Sequence, residues 1–374
     1  MERIYLDNNA TTPVDPEVVE AMTPFFADIF GNPSSQHAMG VEAQRALSDA
    51  RMIVAQALGV GDREIIFTSG ATESVNMALK GIAKANKKSG NHIVTSSIEH
   101  ECVLETCREL EEDGYVVHYV KPDRYGLIDP RRVVDAVRDD TVMVAIMHVN
   151  NELGTINDIE EIAREIKTNW QDVYVFADGA QAFGKLTINL NNIDLYSFSA
   201  HKMHGPKGVG GLYIKESTKI KPLIVGGGQE LKLRSGTENV PGIMGFKRAV
   251  EIAYEYVEEH RTYIRNLRAL FLEQLQGLEY IINSPEDALE NTLNLSFPGY
   301  RAEHIMHLLE QQGVYVSTGS ACSTNDKVRS HVLEGVDAPP EIKESALRIS
   351  FSRMNTKDEI AQAGRILREI REAL

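Results

Sequence analysis

Asp194-Leu-Tyr-Ser-Phe-Ser-Ala-His201-Lys202 reads as a buried strand that stops on a His-Lys pair. Upstream, Val173-Tyr-Val-Phe-Ala-Asp178 is a second apolar run, and it stops on a carboxylate 24 residues before Lys202. Short, continuous apolar runs bounded by small or polar residues are the pattern of strands buried on both faces of a parallel sheet. The pattern extends outward. Strand-like runs at Glu64–Thr68, His92–Thr95, Val116–Val120 and Thr141–Met147 alternate with helical patterns at Gln36–Leu58, Thr72–Asn86, Glu101–Asp113 and Ile159–Lys167. Gly210–Ile214 is a further strand. Asp15-Pro16 and Asp129-Pro130 each read as an N-cap followed by a first helical residue, and Gly59 as a helix stop. This alternation predicts an α/β fold, a mostly parallel sheet with helices on both faces.

After Pro241 the pattern changes. About 30 residues from Ile243 to Leu275 are helical in character, a length that fits one long helix or two kinked ones linking domains. Beyond them, strand-like Thr292–Phe297, Val314–Ser317 and Leu347–Phe351 mix with helical Ala302–Gln311 and Thr356–Leu374. That mixture predicts a smaller α+β domain, and 374 residues are too many for one core.

Composition excludes several function classes. The net charge is −15, which argues against broad binding to nucleic acid or an anionic membrane, since both need a basic face. The longest clear apolar run, Val142–Met147, is far shorter than the roughly 20 residues of a membrane helix. Met1-Glu-Arg-Ile-Tyr-Leu leads straight into strand-like sequence, so no signal peptide is expected. Cys102, Cys107 and Cys322 are an odd, sparse set, which points to a reducing cytoplasm and not to a disulfide framework. The spacing of Cys102 and Cys107 is not that of a metal clip, and no intrinsic metal site is expected. Cys107 shares a helical stripe with Val103 and Leu110, which predicts a core position.

The strand ends carry the chemistry. An amine at Lys202 with a carboxylate at Asp178 matches what pyridoxal phosphate requires, a lysine for its aldehyde and an acid for its ring nitrogen. Thr68-Ser-Gly-Ala-Thr72 joins a strand to a helix, where the backbone N–H groups of Ala71 and Thr72 can face an anion. A plain capped turn is the competing account there. The stretch fits neither a P-loop nor a dinucleotide fingerprint. Asp178-Gly-Ala-Gln181 lies at a sheet's carboxyl edge, where ligands bind, although Asp-Gly also makes ordinary turns. His100 follows another strand end. Thr318-Gly-Ser-Ala-Cys322-Ser-Thr is a small, polar stretch around a thiol, a setting for a nucleophile more than for a core cysteine. Arg234-Ser-Gly-Thr237 reads as an anion-binding or subunit-bridging loop, or as a solvated linker. Arg348 sits inside an apolar strand and must be paired, either by a substrate carboxylate or by an internal acid.

Taken in order, these segments resemble the cysteine desulfurases of the NifS/IscS type, pyridoxal phosphate enzymes of the class V aminotransferase family with fold type I. The stretches are Tyr5-Leu-Asp-Asn-Asn-Ala-Thr-Thr-Pro13, Gly31-Asn-Pro-Ser-Ser35, Thr68–Glu73, Ser97-Ile-Glu-His100, Asn150-Asn-Glu152, Asp178–Gln181, Ser197–Lys202, Arg234–Thr237, Gly319–Cys322 and Leu347–Phe351. They span nearly the whole chain. The resemblance implies a large domain at 15–257 with a seven-stranded sheet. It implies a small domain from 1–14 with 258–374, carrying the cysteine loop at about 318–332.

It also implies roles. Lys202 would bind the cofactor aldehyde, Asp178 would pair with the ring nitrogen, and His100 would stack on the ring and act as acid and base. Gln181 would contact the ring hydroxyl, and Asn151 the ring or the substrate. Ala71, Thr72, Ser199 and His201 would hold the phosphate, with Thr237 reaching in from the other subunit of a homodimer. Arg348 would clamp the carboxylate of L-cysteine. Lys202 would take the α-proton, and Cys322 would take the sulfur as a persulfide, leaving alanine. The sulfur would pass to an iron–sulfur scaffold or another acceptor protein, with Cys322 as a transient cluster ligand.

One stretch departs from the family. Asn325-Asp-Lys-Val-Arg-Ser330 stands where the long-loop branch often carries Leu-Glu-Pro-Ser, which leaves acceptor preference open. Three rivals share parts of this reading. A selenocysteine lyase would share nearly every residue, an ordinary class V aminotransferase would leave Cys322 unexplained, and a non-enzymatic scaffold would leave Lys202 unexplained.

Overall fold

The computed structural model describes residues 3–319 and 330–374. The chain begins with β1 (Ile4–Tyr5), α1 (Pro16–Met22), α2 (Pro24–Ala27), α3 (Ala38–Leu58), β2 (Ile65–Thr68) and α4 (Ala71–Asn86). It continues through β3 (His92–Ser96), α5 (Glu101–Glu112), β4 (Val116–Val120), α6 (Pro130–Asp135), β5 (Thr141–Met147), α7 (Ile159–Asn169), β6 (Tyr174–Asp178), β7 (Leu195–Ser199) and β8 (Gly210–Ile214). Then come α8 (Val240–Glu255), α9 (Val257–Gln274), β9 (Ile281–Ile282), β10 (Thr292–Ser296), α10 (Ala302–Gln311) and β11 (Val314–Tyr315). The last elements are α11 (His331–Gly335), α12 (Pro340–Ser345), β12 (Ala346–Ser350) and α13 (Lys357–Ala373).

Among the described residues, seven strands form one sheet in the order β2-β8-β7-β6-β5-β3-β4. Only β8 runs against its neighbours, so the sheet is mostly parallel, as the alternation predicts. Every residue of β5 is buried, which explains its unbroken apolar sequence. At the rim, β4 alternates in exposure from residue to residue. One face packs Leu47, Val54 and Phe246 of α3 and α8 against Val94, Ile146 and Phe198. The other packs Val75, Leu79 and Val103 of α4 and α5 against Ile93, Ala145, Phe176 and Leu212. Cys107 lies in this second core, as its helical stripe predicts.

A smaller layer lies beside the sheet. Strands β12, β10 and β9 are antiparallel, and β1 pairs in parallel with β11 near the other end of the sequence. Leu293, Leu295, Leu347 and Ile349 from these strands meet Leu267, Phe271, Ile360 and Leu367 from α9 and α13.

Some boundaries differ from the sequence reading for local reasons. The helix expected from Gln36 starts at Ala38, because His37 is its cap and its Nδ1 accepts the Gly40 N–H at 3.3 Å. The strand expected from Glu64 starts at Ile65, because Asp62–Glu64 is a tight helical turn closed by Glu64 on the Gly61 N–H at 3.0 Å. The long helical stretch is two helices that break at Tyr256, whose φ of −131° is not helical. Among the described residues, no helix is long and apolar enough to cross a membrane.

Candidate active site

The carboxyl ends of the parallel strands converge on one cavity of about 320 Å3. It lies where open α/β sheets bind ligands. Its walls include Ala71, Thr72, His100, Asn151, Asp178, Gln181, Ser199, His201, Lys202 and Arg348. All ten are named in the sequence reading, Asn151 and Ser199 through the family resemblance, and the fold brings them together. Thr237 is placed elsewhere in this chain, exposed and beside Arg234 and Glu238 in a separate cleft. Cys322 lies outside the described residues.

Asp178 ends β6, and two donors hold one of its carboxylate oxygens. Its Oδ1 accepts from Ser197 Oγ at 2.7 Å and from the Ala180 N–H at 3.0 Å. The residue after it must be glycine, since a Cβ at Gly179 would lie 2.0 Å from the Tyr196 ring. On the far side of β7, Lys202 sits in the turn that follows the strand. Its Nζ donates to the carbonyls of Asn9 at 2.6 Å and Ala10 at 2.9 Å. Gln181 donates to the same Asn9 carbonyl at 3.0 Å and accepts from Lys185 Nζ at 3.0 Å. Burial pulls Lys185 down to about 7.

His100 caps α5. Its Nδ1 accepts the Cys102 N–H at 3.1 Å, so its proton sits on Nε2 when the ring is neutral. Burial lowers its pKa, with Asp178 opposing and Lys202 reinforcing that shift. Cys102 also lines the cavity, with Sγ 3.0 Å from His100 Nδ1. Burial first, and then Asp178 and Glu99, hold this thiol well above its ordinary value, so it is a poor nucleophile. Glu99 lies behind it, fully enclosed, and burial pushes its carboxyl up to about 8.

Arg348 is 2% exposed. The internal acid that its sequence left open is Asp7, at 2.7 Å from Nη2, while Nη1 donates to the Asn151 carbonyl at 3.2 Å. Among the described residues its Nε is buried without a hydrogen-bond partner, and so is Asn151 Oδ1. Buried polar atoms are rarely left unsatisfied unless something else completes them. The N-terminus of α4 is likewise open. Gly70, at a φ of +152°, precedes it, and among the described residues no side chain caps it and a Cβ on Gly70 would meet only Ser199 Oγ at 3.6 Å. An uncapped helix start beside His201, Lys202 and Lys207 suits a phosphate. These features fit pyridoxal phosphate with an amino-acid substrate.

Asn9 and Ala10 were not among the residues singled out from sequence, although both lie in a stretch that carries the family resemblance. Their contribution is mainly backbone carbonyl oxygens, which sequence does not advertise. Cys102 is hidden in the same way by its helical setting.

Burial of His148 should make the fold acid-sensitive. His148 is 9% exposed, its Nδ1 is 2.9 Å from the Tyr196 hydroxyl, and burial pulls its pKa down to about 4 from 6.5. A depressed folded value means that the unfolded chain binds the proton first. The stability this ring contributes is therefore complete above about pH 6.5 and is lost progressively toward pH 4, about 3 kcal/mol over the interval. Urea midpoints at pH 7 and 5 should show a smaller drop in His148→Gln than in the parent chain. Equal drops would remove His148 from this account.

Comparison with known proteins places these features in a group. The class V aminotransferase family matches residues 4–362. The chain is 45% identical to cysteine desulfurase IscS of Methanosarcina thermophila, over 99% of this chain and 92% of that one. It is 43% identical to putative cysteine desulfurase IscS 1 of Bacillus subtilis, over 99% of each. Among solved structures, a NifS-like protein superimposes with a TM-score of 0.95 at 42% identity, covering 100% of both chains. SspA in complex with cysteine gives 0.85 at 37% identity, covering 95% of this chain and 100% of that one.

Proposed function

Because this chain belongs to the class V aminotransferase family and is a cysteine desulfurase, we propose that its cavity holds pyridoxal phosphate and passes the sulfur of L-cysteine to Cys322 as a persulfide. The observation that carries this reading is the convergence of Lys202, Asp178, His100 and Arg348 on one cavity beside an uncapped helix start.

Lys202 would hold the aldehyde, Asp178 the ring nitrogen, Gln181 the ring hydroxyl, and Ala71, Thr72, Ser199 and His201 the phosphate. Once bound, the cofactor would supply an electron sink beside the substrate's α-carbon. Arg348 would orient the cysteine carboxylate through its open Nε, and Asn151 Oδ1 would accept from the ligand. Lys202 Nζ would then lift the α-proton. His100 would keep its Nε2 proton at neutral pH and offer it as an acid, since burial disfavours the charged ring. The Cys322 thiolate would attack the substrate sulfur. As the new S–S bond forms, the C–S bond breaks, its electron pair stays with carbon, and protonation there gives alanine.

The division 15–257 and 1–14 with 258–374 belongs to this proposal, supported by the break at Tyr256 and the pairing of β1 with β11. So does a homodimer in which Thr237 completes the neighbouring site. Phe26, Phe30 and Val225 are 66%, 63% and 78% exposed, which supports a covering partner. The sparse cysteines support a cytoplasmic setting. A sulfur-accepting protein, such as an iron–sulfur scaffold, would complete the turnover.

The test is mass spectrometry of the chain after exposure to L-cysteine. A reversible adduct of about 32 Da (one sulfur) on the peptide containing Cys322 is the expected result. Alanine production without that adduct would reject Cys322, and amino transfer to a keto acid without sulfur release would favour the transaminase alternative.

A further inference from the structure

Two residues that bracket the Cys322 segment, Gly319 and Ser330, come together in the fold beside a buried carboxyl group. Glu152 is fully buried. Its Oε2 accepts from Ser330 Oγ at 2.5 Å. A Cβ on Gly319 would lie 3.6 Å from that same oxygen and 3.5 Å from Ser330 Cβ. The other oxygen, Oε1, is buried without a hydrogen-bond partner among the described residues.

Glu152 is itself rigidly placed by the site. Its N–H donates to Asn150 Oδ1 at 2.9 Å, and its carbonyl accepts from Asn294 Nδ2 at 3.3 Å. The residue before it, Asn151, lines the cavity and gives its carbonyl to Arg348. The neck is held from its other end as well. Ser317 exchanges two backbone hydrogen bonds with Arg348, at 2.7 and 3.1 Å, and its Oγ donates to the Gly319 carbonyl at 2.8 Å. Ser330 starts α11, where its Oγ also accepts the Leu333 N–H at 3.0 Å.

We propose that Glu152 is a positioning residue that anchors Ser330, where the Cys322 segment ends, beside Gly319, where it starts, and so sets the place of both ends relative to Arg348. Glu152 does not itself line the cavity, and its side chain acts through Ser330. The inference rests on the reading of Cys322 as the sulfur acceptor.

The experiment uses Glu152→Ala, Glu152→Gln and Ser330→Ala. In the loaded enzyme, the absorbance change on mixing with L-cysteine reads substrate binding, and quenched-flow mass spectrometry reads the sulfur adduct on Cys322. In the apoprotein, hydrogen exchange at Gly319 and at residues 331–335 reads the neck without any cofactor. Glu152→Ala should keep the absorbance change within about twofold in cysteine dependence, slow adduct formation at least tenfold, and speed exchange at the neck. Glu152→Gln should recover most of the rate, since its amide oxygen can still accept from Ser330. Ser330→Ala should resemble Glu152→Ala, and it decides the matter if Glu152→Ala does not fold. Adduct formation at the parent rate in both alanine variants overturns the proposal, as does an equal loss of the absorbance change. If the parent enzyme itself forms no adduct on Cys322, the reading of Cys322 fails first, and that result is distinguishable from failure of the Glu152 proposal.

Discussion

Lys202→Ala should lower alanine and sulfide production from L-cysteine by roughly a thousandfold or more. One nitrogen would do two jobs, binding the aldehyde and moving the α-proton, so its loss removes both. The site makes this atom hard to replace. Lys202 Nζ is held by the Asn9 carbonyl at 2.6 Å and the Ala10 carbonyl at 2.9 Å, at the carboxyl edge of the sheet. Lys207, which also lines the cavity, donates to the Thr12 carbonyl at 2.9 Å. Lys185, whose amine burial pulls down to about 7, is committed to Gln181 at 3.0 Å. The measurement has two parts. Borohydride should fix pyridoxal phosphate to Lys202 in the parent chain and to no residue in the variant. Activity within tenfold of the parent would sink the assignment.

Arg348→Ala should raise KM for L-cysteine by about a hundredfold and also destabilise the protein by about 3–5 kcal/mol. The two effects have different origins. The first is loss of the guanidinium that would meet the substrate carboxylate through its open Nε. The second arises because Asp7, 16% exposed at its side chain, is left without the partner it holds at 2.7 Å. Asp7→Asn separates them, since it weakens the internal pair while leaving the guanidinium in place. Its stability should fall with little change in KM. An Arg348→Ala enzyme with the parent's KM would reject the clamp.

The mostly parallel sheet was legible because β5, β6 and β7 are buried on both faces and their sequences carry unbroken apolar runs. Strand ends announced Asp178, His100 and Lys202, because polar residues that follow such runs stand at a sheet's edge. The break at Tyr256 was half legible, since length alone allowed one helix or two. What sequence concealed is backbone chemistry and long-range pairing. The carbonyls of Asn9 and Ala10 have no residue-specific signature. Nothing local tells Arg348 that its acid lies 341 positions away at Asp7. Glu152 stood only as the last residue of one family-like stretch, and its contact with Ser330 spans 178 positions.

The pairing of β1 with β11 has a bearing on how the protein is made. The strands of the large sheet end at Ile214 and the helix α8 that covers one of its faces ends at Glu255, so this layer can fold while the rest of the chain is still being synthesised. The pocket around Lys202 is different. Its two carbonyls follow a strand whose register is set by Val314 and Tyr315, and Asp7 waits for Arg348. Closing loops of that span comes late, because the entropy of joining distant segments must be met before their contacts help. A ribosome-bound fragment would thus carry a finished scaffold around an unfinished centre. Cofactor capture would mark a full-length chain, and a prematurely terminated product would stay inert toward cysteine.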